Sequence, residues 1–244
     1  MISSPETRGV LSASERYSIA AVICAAGSSV RMGGIKKEYQ PVVPVQYDEE
    51  GRVLSVLAAA VRAFDALKRV KTLVVVVPLG HESSAQAVLP DALRTKRLRF
   101  VTGGESRQSS VYRALLSLAS DPPDYVLIHD GARPWVDAAL INRVIDAAIR
   151  YGAAIPTVPL IETPKECDTG GFITRHLKRS SVLAAQTPQG FAFADILTAH
   201  KKAHAHTGYT DDAELWGEWI EGRPVATVSG SKANRKITFA EDLA

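Results

Sequence analysis

Residues 19–32 read Ile-Ala-Ala-Val-Ile-Cys-Ala-Ala-Gly-Ser-Ser-Val-Arg-Met, and Lys36 and Lys37 follow closely. The run Ile19 to Cys24 is continuously apolar and short, the pattern of a strand buried on both faces of a sheet. It empties into Ala25, Ala26 and Gly27, small residues that let backbone N–H groups approach an anion, with Arg31 and the lysines supplying mobile positive charge at the same place. That combination suits a nucleoside triphosphate, although a strand ending in Ala-Ala-Gly is equally compatible with an ordinary tight strand exit. The dinucleotide and P-loop fingerprints are absent: Ser29 stands where a second glycine would sit, and the chain has no Gly-Lys-Ser/Thr triplet. A NAD-dependent enzyme is therefore disfavoured.

Working outward, apolar periodicity alternates between helix and strand. Val53 to Phe64 carries Val53, Leu54, Leu57, Val61 and Phe64 at helical spacing, and Thr72 to Val77 is a β-branched run closed by Pro78. The alternation continues through Leu98 to Thr102 (strand), Ser109 to Ala119 (helix), Tyr125 to His129 (strand), Ala138 to Arg150 (helix) and Ala153 to Val158 (strand). This predicts an α/β fold, a Rossmann-like and mainly parallel sheet with helices on both faces and right-handed crossovers. Ligands of such sheets bind beyond the carboxyl ends of the strands. From Glu162 to Gln186 polar residues alternate around Gly170-Gly171, which predicts a protruding β-hairpin arm inserted at about 162–186. Helices at Phe193 to His204 and Asp211 to Ile220 and a strand at Val225 to Val228 complete one domain over 18–244, and the polar residues 1–17 read as a disordered extension.

The composition narrows the classes. With 244 residues, 46% hydrophobic and 23% charged, the chain can bury one substantial core. A net charge of +3 with no Lys/Arg block among aromatics gives no nucleic-acid groove. The two cysteines, Cys24 and Cys167, offer neither a disulfide framework nor metal-ligand spacing, so a reducing cytoplasm fits. No apolar run reaches the ~18 to 20 residues of a membrane span, and the first residues do not resemble a signal peptide.

Polar residues at strand ends are the candidates for chemistry. Gly103-Gly104-Glu105-Ser106-Arg107-Gln108-Ser109-Ser110 is a turn entering a helix; Ser109 or Ser110 serves either as an N-cap or as a ligand contact, and the two glycines would let a planar base lie on the backbone. In His129-Asp130-Gly131-Ala132-Arg133-Pro134, Asp130 is either a Mg²⁺ carboxylate or the partner of Arg133 in a structural turn, and His129 reads as a packed residue. Thr163, Arg179, Thr187 (in Thr-Pro-Gln-Gly), Thr210 (in Thr-Asp-Asp) and Lys236 follow; Thr210-Asp211 would cap a helix in any protein.

Taken in order from Ile19 to Leu243, these motifs resemble the 2-C-methyl-D-erythritol 4-phosphate cytidylyltransferases of non-mevalonate isoprenoid synthesis. The set comprises Ala25-Ala26-Gly27 with Arg31-Met32, Gly103-Gly104 with Arg107 and Ser110-Val111, His129 to Pro134, Gln186-Thr187-Pro188-Gln189, Thr210-Asp211-Asp212-Ala213, and Lys236-Ile237-Thr238 before Glu241-Asp242-Leu243. The resemblance implies a nucleotidyltransferase that joins CTP to a sugar-alcohol phosphate and releases pyrophosphate. By position it implies Arg31 and Lys37 as the cations on the triphosphate, Asp130 as the Mg²⁺-associated carboxylate, and Ala25, Ala26, Gly27, Gly104 and Ser110 as nucleotide contacts. Thr163, Arg179, Thr210 and Lys236 would form the alcohol-phosphate site, Arg179 and Lys236 counting with the catalytic cations, while Arg107, Arg133 and Thr187 complete the substrate-binding set. The implied cofactor is Mg²⁺, and the implied assembly is a homodimer through the arm. Two departures stand out: Ser29 replaces the family's second glycine, and Lys36-Lys37-Glu38 replaces Pro-Lys-Gln, leaving Lys37 preferred over Lys36 as the loop cation. The rival readings are a ribitol 5-phosphate cytidylyltransferase and a non-catalytic nucleotide-binding regulator.

Overall fold

The computed structural model of the chain describes residues 16–27, 29, 33–90, 93, 97–203, 206 and 208–243. Of the segment expected to be a disordered extension, residues 1–15 lie outside the described residues, and Tyr17 sets its ring edge-on at 5.3 Å from Tyr125.

Strand β1 (Ile19–Cys24) runs parallel between β2 (Val70–Val77) and β4 (Tyr125–Asp130), and its alternating side chains serve two cores. Ile19, Ala21 and Ile23 face one way, with Leu57, Val61 and Phe64 of α1 (Val56–Asp65) and Leu140, Ile141 and Val144 of α4 (Ala138–Tyr151). Ala20 and Val22 face the other, with Val111 and Leu115 of α3 (Arg107–Leu118). Further along that face lie Ile196 of α5 (Phe193–Lys202) and Trp216 of α6 (Asp212–Trp219). Each fully buried aliphatic side chain contributes about 1.5–3 kcal/mol, so both faces of the run are committed to packing and only its carboxyl end is available for a ligand.

Together with β3 (Arg97–Thr102), β5 (Ala153–Pro159), β8 (Leu183–Ala185), β9 (Gln189–Ala192) and β10 (Ala226–Ser229), these strands form an eight-stranded sheet in the order β10-β5-β9-β4-β1-β2-β3, with β8 also on β5. The mainly parallel α/β sheet expected from sequence is present, with one feature unforeseen: β9 lies antiparallel between β4 and β5. Gln-Gly-Phe-Ala has neither β-branched residues nor alternation, so local sequence gave it no signal. Helix α2 (Glu82–Ala87) was likewise unannounced.

Caps move two helix starts. The helix expected from Val53 begins at Val56, because the Ser55 hydroxyl accepts from Ala58 N at 3.0 Å and Val53 bridges instead to Tyr47. The helix expected from Ser109 begins at Arg107, because Ser106 is the cap: its hydroxyl accepts from Ser109 N and the Ser109 hydroxyl accepts from Ser106 N, a reciprocal box.

In the arm, β6 (Lys165–Cys167) and β7 (Ile173–His176) pair antiparallel and are exposed throughout. Their turn is made by the Asp168 carboxylate, which accepts from Gly170 N and Phe172 N, with Gly171 at φ 82°. The returning chain enters the main sheet through β8, which runs antiparallel on β5.

Candidate active site

A cavity of about 510 Å³ opens at the carboxyl ends of β1, β3 and β4. Its first wall is the loop after β1. Ala25 is buried beneath the cavity, its N–H donating to Val76 O at 2.8 Å, while Ala26 and Gly27 line the opening. The turn after β3 leans directly on this loop. A Cβ at Gly103 would run into the Ala26 methyl group and come within 2.8 Å of Ser110 Oγ; one at Gly104 would run into the Ser109 side chain. Both positions are thus kept small by the side chains of Ala26, Ser109 and Ser110 packed against them, independently of any base lying on them. Ser110 is not the N-cap: it is buried, and its hydroxyl accepts from Gly104 N at 3.0 Å, tying the turn to α3.

Across the opening, the 3₁₀ turn Lys37–Tyr39 presents Lys37 to the cavity, while Lys36 does not line it. Lys37 Nζ donates to Ile237 O at 2.8 Å, joining this turn to the C-terminal segment, whereas Lys36 Nζ reaches back to the Gly27 carbonyl. Glu38 is buried in the same wall, and burial pushes its carboxyl above the usual range, its own backbone and the two lysines opposing. Ser29, at φ 52°, places its hydroxyl 3.5 Å from Glu38, so the two departures from the family pattern lie together. Arg31 lies outside the described residues.

Asp130 at the tip of β4 is the electrostatic centre. Oδ2 is 3.0 Å from Lys236 Nζ and 3.3 Å from Arg133 Nε, and Oδ1 is 3.7 Å from Arg107 Nε. Burial alone would raise its carboxyl; Lys236, Arg107 and Arg133 more than offset that and hold it well below the usual carboxylate range. The pairing with Arg133 expected from sequence exists, but as one of several, and Arg133 also donates to Asn234 O at 2.8 Å. Thr187 supports Asp130 from below: its hydroxyl accepts from Asp130 N at 3.1 Å and lies 3.1 Å from His129 Nδ1. Because the Arg133 carbonyl, 3.1 Å from His129 Nε2, can only accept, the ring proton sits on Nε2 and Nδ1 accepts a hydrogen bond from the Thr187 hydroxyl. His129 is fully buried and its pKa is lowered to about 4 by that burial, which makes it the packed residue the sequence indicated.

Such a site favours anions. Mg²⁺ accepts one or two carboxylates with phosphate oxygens and water, a donor number that the lining carboxylates Asp130, Glu38 and Glu105 can meet, and no cluster of three or more His, Cys, Asp or Glu ligands occurs among the described residues.

The family model for 2-C-methyl-D-erythritol 4-phosphate cytidylyltransferase (IspD) matches residues 19–244. The chain belongs to this family. A curated relative of that name from Pelotomaculum thermopropionicum is 40% identical over 228 residues, covering 92% of this chain and 91% of the relative. A bifunctional IspD/IspF enzyme from Nitrobacter winogradskyi is 39% identical, and this chain spans 54% of its length. Among solved structures, the 4-diphosphocytidyl-2C-methyl-D-erythritol synthase of Anaerococcus prevotii aligns with a TM-score of 0.80 at 28% identity, covering 95% of this chain and 96% of that one. The Thermus thermophilus cytidylyltransferase aligns at 0.70 and 31%, covering 93% and 95%.

Within this IspD-family chain, Ala26, Gly27, Lys37, Gly104, Arg107, Ser110, Asp130 and Lys236 share one cavity, while Ala25, Arg133 and Thr187 form its support. Of the remaining sequence candidates, Arg31 lies outside the described residues, and Thr163, Arg179 and Thr210 are apart from the cavity lining. Arg179 is in a 3₁₀ turn on the returning limb of the arm, and its Nη1 donates to Ile161 O at 2.8 Å beside exposed Thr163, at the base of the arm. Thr210 donates through N and Oγ1 to Glu214 Oε2, bracing the start of α6, and Asp211 is the cap, accepting from Glu214 N. Sequence reasoning missed Glu38, Glu105, Ser106 and Thr238 in the lining. For Thr238 the signal was present, next to Lys236 in the same motif.

Proposed function

We propose that this member of the cytidylyltransferase family transfers the cytidylyl group of CTP to 2-C-methyl-D-erythritol 4-phosphate, releasing pyrophosphate, with Mg²⁺ as cofactor. The observation that carries the reading is the convergence of Lys37, Arg107 and Lys236 with Asp130 on one cavity closed by the glycine turn. A phosphate monoester is already an anionic nucleophile at neutral pH, so a phosphate oxygen of the acceptor attacks the α-phosphorus in line and no protein base is needed. The chain brings two polyanions together and offsets the charge that grows on the leaving pyrophosphate, through Lys37 with Arg31 of the loop and Lys236 beside Asp130. Mg²⁺ held by Asp130 would supply further neutralisation at the phosphates. Thr163, Arg179 and Thr210 bind the acceptor phosphate in this reading, Arg179 by its guanidinium fork.

The assembly is part of the proposal: a homodimer in which the arm of one copy reaches the partner, bringing Arg179 toward a cavity it does not line in its own chain. No helix among the described residues is long and apolar enough to cross a membrane. We assign the reaction to the cytoplasm.

Mixing the chain with CTP, MgCl₂ and either 2-C-methyl-D-erythritol 4-phosphate or ribitol 5-phosphate tests the reading, pyrophosphate being followed in each. Release with the methylerythritol phosphate is expected. Release with ribitol 5-phosphate alone reassigns the acceptor, and release with neither makes the chain a nucleotide binder.

A further inference from the structure

Behind Arg107, away from the cavity, lies a buried ionic cluster that the proposed reaction does not use. Asp212 opens α6 and His200 lies on α5, each 1% exposed. His200 Nε2 is 3.1 Å from Asp212 Oδ1, and its ring lies parallel to Tyr112 at 6.1 Å. The other oxygen, Oδ2, is 2.7 Å from Arg107 Nη2. The main chain that carries this carboxylate is held as well: Asp212 N and Ala213 N both donate to Gln189 Oε1 at 3.1 Å, and Gln189 Nε2 donates to Asp211 Oδ2 at 2.8 Å. Thus α6 starts pinned to β9.

Neither helix capping nor stability accounts for the Asp212 carboxylate. Asp211 already caps α6. Burying a carboxylate and a guanidinium costs more desolvation than an apolar pair of the same size, so a buried pair is a poor stabilising device. Burial would raise the Asp212 carboxyl, and Arg107, with the His200 hydrogen bond, holds it down instead. What the pair does determine is direction: with Nη2 fixed on Asp212, the Nε edge of Arg107 faces Asp130 at 3.7 Å.

We propose that Asp212, backed by His200, is a positioning residue of the nucleotide site, holding the Arg107 guanidinium between two carboxylates and so fixing the surface that Arg107 and Asp130 present to CTP. The proposal rests on the CTP reading above and touches neither substrate directly. It makes a prediction of unusual sign. Removing a negative charge near a polyanion should tighten binding by simple Coulomb attraction. Releasing Arg107 should instead weaken it, because the half-buried guanidinium, no longer shared between two carboxylates, is drawn onto Asp130 and disturbs the lining.

The test is a double-mutant cycle read by calorimetric titration of the full chain with CTP and MgCl₂, no acceptor present. Asp212→Asn, which keeps the size of the side chain, is expected to weaken CTP by about tenfold, and Arg107→Met to weaken it as well. In the Arg107→Met background, Asp212→Asn should change the affinity by less than about twofold, since its effect passes through the missing guanidinium. Tighter or unchanged binding in Asp212→Asn overturns the proposal, as do independent, multiplicative effects of the two substitutions. His200→Phe keeps a ring beside Tyr112 and removes the hydrogen bond; it should shift CTP affinity in the same direction by about threefold, and it carries the test if Asp212→Asn does not fold. A wild-type chain that binds CTP yet transfers nothing to either alcohol phosphate overturns the assigned reaction while leaving this cycle readable.

Discussion

Lys37 and Lys36 are adjacent, equally charged, and differently employed. Lys37 faces the cavity and reaches Ile237 O, whereas Lys36 is turned to the Gly27 carbonyl and burial lowers its pKa, Glu38 opposing. Loss of one preorganised charge at a reacting phosphate costs about 2.7–4 kcal/mol, so Lys37→Ala should lower kcat by roughly two to three decades. Lys36→Ala should lower it by about tenfold or less, the cost of a loosened loop; steady-state kinetics on both variants, with circular dichroism to show an intact fold, separates them. Equal losses would contradict the assignment. His129 governs a different property. Its pKa of about 4 lies below the unfolded value, so between those pH values the unfolded chain binds more protons and stability falls as pH falls. From pH 7 to pH 5 this one group should remove about 2 kcal/mol, measured by urea unfolding, and His129→Gln should show a correspondingly smaller pH dependence. Asp130 was legible from sequence as a carboxylate at a strand tip. That Lys236 closes on it was not derivable from local pattern, because the contact joins distant segments through the sheet.

At the scale of elements, periodicity revealed the strands and helices that bury an apolar face and missed those that do not. β1, β2, β4 and α4 were readable because their side chains fill the two cores. β9 was not, because its place in the sheet is secured by neighbours and by the smallness of Gly190. A Cβ there would lie 2.9 Å from Val144 Cγ1, 3.1 Å from Ala148 Cβ and 3.1 Å from Leu127 Cδ2, so α4 sits on β9 only while that position is glycine. Gly190→Ala should therefore destabilise by about 1–3 kcal/mol through overpacking and lower Tm by several degrees in calorimetry. An unchanged Tm would mean that α4 can slide without cost. Helix starts escaped the periodicity for a related reason: Ser55 and Ser106 define them with hydroxyls, which carry no hydrophobic signal.

For the molecule as a whole, the sequence pointed to the cavity because the segments that follow β1, β3 and β4 meet at one end of the sheet. It could not show the distance between that cavity and the arm. Arg179 and Thr163 stand at the arm's base outside the cavity lining, and the arm itself carries Phe172, Ile173 and, near its base, Ile161 and Leu183 in exposed positions, Phe172 being 72% exposed. A two-stranded hairpin without a covering layer is marginal in water, so these apolar side chains favour burial, which the proposed second copy would provide. In the proposed homodimer the same association would offer Arg179 a route to a site, with a twofold axis through the arms carrying each base toward the partner. Sedimentation velocity of the full chain should give the mass of a dimer. Phe172→Asp with Ile173→Asp should shift it to a monomer, and turnover at saturating CTP should then require a higher concentration of the alcohol phosphate, because the residues that grip it no longer meet the nucleotide. A wild-type monomer with full activity would remove the arm from the reaction and leave Arg179 an ordinary brace of the Ile161 turn.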